Sequence, residues 1–396
     1  MNTLTHRGLA HRGKRRSEYH QGALLSPNHP LDTHAGGRFS RTDAKEVIVA
    51  SSPAQQMDAI VHEPSVISLG QIWMDIMMDV ADVPPSGGFA VAADAEPALG
   101  GSFRVLQAVQ RMGSPSMHAG IIGTGIWGTA IRTAMATHGI DHIGQDRIDS
   151  DTGFRIVLND GDRKTFIARY GAEAQGADDI FDDIEPKPSD IVHISGNSLM
   201  DHSASGLDAF LRRPESNPLH REYGIVINPT RSLDLVSDHL IEDTVLARPL
   251  WSCNRQEAEK LAQRLGVDID YSSAMTVGGS FDKSMGILCT ELGAALHAPL
   301  VLRAGSRGAW VREPGGMLTH VEGFPTEPIH TRSAGSCHTG TLCAMLAQGW
   351  SLIDSVRIAN AAASLAIAHS RGGVPQCPGR DDALTLARIT PDGDPA

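Results

Sequence analysis

The chain has 396 residues, a formal charge of −12 and an apolar share of 41%. That length supports one large α/β domain or two ordinary ones with a sizeable core; the acidic balance, spread along the chain, excludes a broad nucleic-acid surface, and no apolar run reaches the roughly 18 residues that a membrane span needs. The five cysteines, Cys253, Cys289, Cys337, Cys343 and Cys377, form no CxxC pair and are odd in number, which speaks against a zinc site or a disulfide framework and for buried thiols in a reducing, cytoplasmic compartment.

Residues 1–62 are rich in His, Arg, Gly and Ser, lack periodicity and read as a disordered N-terminal extension. Their Arg-rich, acid-poor start has a faint transit-peptide character, without a visible amphipathic helix or the apolar centre of a secretory signal. From Pro64 the pattern becomes regular. "SVISLGQIWMDIMMDV" (65–80) predicts two short strands around Gly70, and the Pro/Gly-rich stretch 82–101 a flap. "GSFRVLQAVQRMG" places Val105, Ala108, Val109 and Met112 on one helix face. "SMHAGIIG" (116–123) predicts one buried strand, then a helix near 127–138; 152–171 predicts a hairpin around "GDR". Strands then alternate with helices: a strand at 190–196 and a helix to about 212, a strand at 223–229, a short strand and a helix across 244–266, and a helix at 283–293. A strand at 298–305, a hairpin at 308–321 and two helices over 335–369 complete the series. Such alternation implies a mostly parallel sheet with helices on both faces.

Two glycine signals compete. "GTGIWG" (123–128) fits GxGxxG between a strand and a helix, but the following "GIDHIGQDRID" makes a poor second strand, so a tight βα turn stands against a dinucleotide site. "SAGSCHTG" (333–340) opens a helix with small residues, Ser333, Ala334, Gly335 and Ser336, whose free N–H groups suit a phosphoryl group. A simple N-cap by Ser333 or Ser336 is the plain alternative.

In order and spacing, residues 66–377 resemble the ribokinase-like, or PfkB, carbohydrate kinases. "GQIWMD" (70–75) is similar to the first-strand motif whose closing Asp, here Asp75, holds substrate hydroxyls; Gly100 and Gly101 match the glycine pair facing the sugar. "NRQE" puts Asn254 and Glu257 at the NxxE motif that organises Mg²⁺, Glu257 acting on it indirectly. "AGSRGAW" resembles the nucleotide-side turn with Gly305 and Gly308, "HTRSAGSCHTG" (330–340) the DTxGAGD motif, and "IANAAASLA" the helix lining the adenine site through Asn360. "GTGIWG" then matches the family's Gly-rich βα turn. The resemblance implies a three-layer αβα sandwich with a small β-sheet lid: a kinase domain over 63–380, lid segments at 72–100 and 152–170, and a C-terminal tail at 381–396. It implies ATP and Mg²⁺ as cofactors, a sugar or nucleoside as partner, and a homodimer through lid strands.

The departures from the family pattern sit on the substrate side. Ser336 stands at the position of the base Asp, Ser333 at the first glycine, and His330 at the leading Asp; Arg104 stands near the expected sugar-binding Asn and favours an anionic ligand if it faces the pocket. A serine hydroxyl is too weakly basic to replace the carboxylate, and His338 is two helical positions round, on another face. Two functions remain open on these residues: an ATP-dependent phosphotransferase impaired at Ser336, or a catalytically inactive relative that binds nucleotide or sugar as a regulatory module.

Overall fold

Strands buried on both faces set the architecture. In Ile191–Ser195 every residue is buried, and the side chains alternate between two cores: Val192 and Ile194 join one cluster, Ile191 the other. A strand with that pattern needs a layer on each side. The computed structural model describes residues 62–161, 163–200, 202–230, 232–272, 281–329, 331, 333–369 and 376–390. The extension before residue 62, His330 and the last six residues therefore lie outside the described residues.

In chain order the elements are β1 (Val66–Ser68), β2 (Met74–Asp79), β3 (Asp94–Leu99), α1 (Phe103–Arg111), β4 (Ser116–His118), β5 (Ile122–Gly123), α2 (Ile126–Thr137), β6 (Ile140–His142), β7 (Asp146–Arg147), β8 (Phe154–Asp160) and β9 (Arg163–Arg169). Then follow β10 (Ile191–Ser195), α3 (Ser203–Leu211), β11 (Gly224–Asn228), α4 (Asp238–Leu246), β12 (Leu250–Asn254), α5 (Arg255–Arg264), α6 (Phe281–Leu296), β13 (Leu300–Arg303), β14 (Ala309–Arg312), β15 (Leu318–Val321), α7 (Ala334–Ala347), α8 (Leu352–Ala368) and α9 (Arg380–Ala387). The main sheet has nine strands in the order β15-β14-β13-β12-β11-β10-β1-β4-β6, parallel except for β14 and β15. One face packs on a core containing Trp251, Phe210, Leu261 and Leu292, the other on one containing Val109, Leu342, Ala359 and Leu384. Because β1 is flanked by β10 and β4, the chain changes direction there, and the carboxyl ends of the parallel strands are where such sheets bind ligands.

The second sheet has four strands, β3-β2-β8-β9, drawn from the two excursions of the chain that interrupt the strand–helix order. Its hairpin β8–β9 leaves and returns at a single carboxylate: Glu173, 2% exposed, accepts the N–H of Gly153 at 2.6 Å and that of Gly171 at 3.0 Å. This clamp ties the two ends of the hairpin together.

Three sequence expectations are corrected. The strand read across 116–123 breaks at Gly120, where a Cβ would lie 2.1 Å from the Gly70 carbonyl, so β4 and β5 join different sheets. The start of 244–266 belongs to helix α4, capped by Ser237 Oγ accepting from Leu240 N; its acidic residues dilute the apolar periodicity that would have revealed it. The tail from 381 begins inside α9, whose Ala383, Leu384 and Ala387 are buried. The "GTGIWG" turn is occupied by the protein itself: Asp151 accepts from Trp127 N and Gly128 N, so the N-terminus of α2 already holds a carboxylate.

Glu173→Gln replaces one of the two clamp oxygens with an amide that cannot accept. The expected outcome is a loss of about 2–3 kcal/mol of unfolding free energy. Amide exchange should accelerate in residues 154–169 before it does in the nine-stranded sheet, and equal protection in both would refute the clamp.

Candidate active site

Helix α7 is apolar nearly all round and is buried between α1 and α8. Gly340 permits that approach, since a Cβ there would meet the Val105 carbonyl at 2.3 Å. The N-terminus of α7 is the open end. Ser333 takes left-handed dihedrals, φ 61° and ψ 5°, and its side chain makes no capping bond. The first intrahelical bond is Cys337 N to Ser333 O, so the N–H groups of Ala334, Gly335 and Ser336 have no helical acceptor. No acidic residue lies in this first turn. An unbonded helix start with its partial positive charge receives anions. That left-handed region favours glycine, so the serine at 333 carries backbone strain.

A cleft of about 470 Å³ opens beside this end. It gathers Asn254, Gly305, Gly308, Ala334, Gly335 and Asn360 from four separate stretches of chain. Asn254 and Glu257 form a true capping box on α5: Asn254 Oδ1 accepts Glu257 N at 2.9 Å and Glu257 Oε2 accepts Asn254 N at 2.8 Å. The capping and site readings of this pair therefore coexist. Gly305 and Gly308 have positive φ, and a Cβ on Gly305 would meet nothing, so that face of the turn is open. Asn360 lines the cleft with its amide already engaged, donating to the Val321 and Glu322 carbonyls and accepting from His338 Nε2.

Arg303 is the residue that pattern reading missed. It ends the buried strand β13, donates to Glu257 Oε2 at 3.2 Å, and its Nη1 lies 2.5 Å from where a Cβ on Gly335 would be. An arginine closing an apolar strand was the available signal, because a buried charge needs a partner. It puts a guanidinium at the start of α7 and balances the only carboxylate of the NxxE pair.

The opposite end of the same helix start faces a second space. A pocket of about 220 Å³ joins Ser336 and Gly101 with Trp73, Ser102, Ser195 and Asn197. Trp73 and Asn197 also wall a chamber of about 780 Å³ beneath the four-stranded sheet. Asp75 supports this wall. Its Oδ1 accepts Trp73 Nε1 at 2.9 Å and Arg155 Nε at 2.8 Å, while Oδ2 accepts Arg155 Nη2 at 2.9 Å. The guanidinium also lies 5.2 Å from the Trp73 ring. Gly100 lets the loop lie on this group, since a Cβ there would fall 2.4 Å from Trp73 Nε1. Arg104 is not brought to either cavity; it lies near His138, whose pKa it helps lower.

Two buried histidines flank the site. His338 lines the cleft beside Gly335, not the Ser336 pocket, and burial holds it down to about 3. His193, in the apolar run of β10, reaches the Ser336 pocket with Nδ1 at 2.9 Å from Ser68 Oγ and Nε2 at 2.5 Å from Asn228 Oδ1; burial lowers it to about 4. A third, His118, is lowered to about 3 by burial and by the adjacent His142.

The sequence profile described as pfkB family carbohydrate kinase matches residues 64–377. An uncharacterized sugar kinase of Escherichia coli (strain K12), YegV, is 28% identical over 327 residues, which are 82% of this chain and 94% of that one. Ribokinase from Cryptococcus neoformans var. grubii serotype A, in complex with ADP, has a TM-score of 0.64 at 16% identity, over 82% of this chain and 99% of its own. Arabidopsis thaliana ribokinase complexed with ribose and ATP has a TM-score of 0.62 at 17% identity, over 83% and 99%. At those identities the structural likeness shows the shared fold.

The three histidines predict acid sensitivity with a definite sign. Each folded-state pKa lies below the unfolded 6.5. Stability is therefore intact above 6.5 and falls as the pH drops toward about 4, because the unfolded chain takes up protons that the native one refuses. The slope is about 1.4 kcal/mol per pH unit for each histidine. Denaturant melts at a series of pH values should show it, and a flat profile between 6.5 and 5 would contradict it.

Proposed function

The chain belongs to the pfkB family of carbohydrate kinases, and from that premise we propose that it is an ATP-dependent phosphotransferase whose acceptor, of sugar or nucleoside size, lies beneath the four-stranded sheet. The observation that carries this reading is the gathering of Asn254, Gly305, Gly308, Ala334 and Gly335 around one cleft at the unbonded start of α7. In this reading the adenine end of ATP lies toward Gly305, Gly308 and α8. The terminal phosphoryl group takes the N–H groups of Ala334, Gly335 and Ser336, with the Arg303 guanidinium beside them.

Phosphoryl transfer depends mainly on placement and on stabilising charge, and this end of the site supplies both. The donor set also fits Mg²⁺, because Glu257 is oriented by Asn254 N and Arg303 through Oε2, and Oε1 takes neither bond. Glu257 would help hold the ion, which would supply positive charge to offset that of the phosphates. Asp75 acts through the wall it braces: with both oxygens on Arg155 it sets Trp73 against the acceptor. Ser336 hydrogen-bonds the acceptor without taking its proton, so transfer to a plain hydroxyl is slow; losing a positioned base costs about 10²–10⁴ in rate.

The same carboxylate-poor acceptor end favours one second reading, a nucleotide-binding relative that regulates a partner without turnover. Release of ADP over a panel of acceptors separates the two. A second copy of the chain is proposed to pair along β9, the exposed edge strand of the four-stranded sheet, whose Phe166 and Ile167 are 54% and 57% exposed. The five free thiols support a cytoplasmic setting, and no helix among the described residues is long and apolar enough to cross a membrane.

Mg–ATP at a hundred times its dissociation constant should stabilise the protein by about 2.7 kcal/mol. Gly335→Val drives a side chain into Arg303 and is expected to abolish that stabilisation. A nucleotide-independent melt of the unaltered protein at millimolar Mg–ATP would refute the reading. Sedimentation should give a dimer that Phe166→Arg converts to monomer, and a concentration-independent monomer would exclude the β9 contact.

A further inference from the structure

Phosphorylation of a hydroxyl releases a proton, and a base at the reacting oxygen speeds that step by about 10²–10⁴. Among the described residues the pocket beside Ser336 contains none. No carboxylate lines it. Its one titratable side chain, His193, is 1% exposed, donates through Nε2 to Asn228 Oδ1 and accepts the Ser68 hydroxyl at Nδ1, so both ring nitrogens are taken. The carboxylates nearby are equally engaged. Asp75 has both oxygens on Arg155, and Glu173, in the wall of the adjoining chamber, has both on backbone N–H groups.

What the pocket offers instead is neutral donors. Ser102 Oγ is buried without a partner among the described residues, and Ser195, Asn197 and Ser336 line the same space. Asn228, with its oxygen turned to His193, presents its Nδ2 as a donor. The adjoining chamber adds Arg155 and Arg169, and the Arg169 side chain has no ion pair among the described residues.

We infer that the natural acceptor presents an oxygen that is already an anion: the carboxylate of a sugar acid, or the phosphate of a sugar or nucleoside phosphate. This rests on the kinase reading above. An oxyanion requires no base and is bound by hydroxyl and amide donors; a carboxylate at position 336 would repel it. Serine at that position is then the fitting residue, not a lesion. The anionic oxygen forms the new bond to the γ-phosphorus, the bond from that phosphorus to the β,γ-bridging oxygen breaks, and ADP leaves with the electron pair. The product is an acyl phosphate or a phosphoanhydride. Charge balances without a proton, whereas a hydroxyl acceptor releases one proton per ADP.

The test uses the full chain with Mg–ATP and three acceptor sets: neutral sugars and nucleosides, the corresponding sugar acids, and the corresponding sugar and nucleoside monophosphates. ADP and protons are counted together in weak buffer at about pH 8, above the phosphate pKa near 6, after subtraction of acceptor-free hydrolysis. Hydroxylamine trapping identifies an acyl phosphate, and phosphorus NMR a new anhydride, so the two anionic sources are told apart. The expected result is turnover of one anionic set about tenfold or more above its neutral counterparts, with no proton released. Ser336→Asp should slow that set about tenfold or more and speed the neutral set by a similar factor. Preference for neutral acceptors with one proton per ADP overturns the inference, as does a preference that Ser336→Asp leaves unchanged. Stabilisation by Mg–ATP without turnover of any anionic acceptor also overturns it, while leaving the nucleotide site standing. No stabilisation by Mg–ATP removes both.

Discussion

The unbonded start of α7 is the constraint around which the rest of the molecule is arranged. Three consecutive backbone N–H groups, those of Ala334, Gly335 and Ser336, face away from any helical acceptor, and a buried donor left without a partner is costly. The protein tolerates this end because it opens onto cavities on both sides, and because Ser333 turns the chain in a left-handed conformation that brings the groups to the carboxyl edge of the sheet. The buried flanks of α7, packed on α1 and α8, hold that end in place. A helix that is apolar all round cannot shift outward without exposing its core residues.

The two sides of that helix start differ in chemistry. Toward the cleft beside Gly335 stand Arg303, Glu257 and the Asn254 cap, a charged group tied to backbone. Toward the pocket beside Ser336 stand hydroxyls, amides and a neutral histidine. In the adjoining chamber Arg155 joins Asp75, Trp73 and Phe166 into one unit across the strands β2, β8 and β9. That unit links the small sheet to the loop after β1, and the Glu173 clamp fixes the other end of the same hairpin.

Much of this was legible along the chain. The alternating strands and helices and the two strand pairs outside that order follow from local periodicity, and the gathering of residues 254, 305, 308, 334, 335 and 360 at one cleft was what the family resemblance implied. Arg303 and His193 were not legible in the same way. Each is a single polar residue in an apolar strand, and the partner that makes it tolerable, Glu257 for one and Asn228 for the other, comes from a different strand. Glu173 and Arg155 are similar cases, since their bonds reach Gly153 and Asp75 across long separations. Arg104 failed in the opposite direction: its place near the Gly100–Gly101 turn suggested a pocket residue, but the helix turns it toward His138.

The sequence by itself determined the αβα architecture, the small-residue helix start at 333–336 and the absence of a carboxylate there, because backbone periodicity and residue chemistry at one position are local properties. Only the tertiary structure decided that no distant side chain among the described residues replaces that carboxylate. His338 faces the cleft beside Gly335, His193 is bonded at both nitrogens, and Asp75 and Glu173 are held elsewhere. A proton acceptor is defined by what lies within hydrogen-bond reach of the reacting oxygen, and that neighbourhood is assembled from strands far apart in the chain.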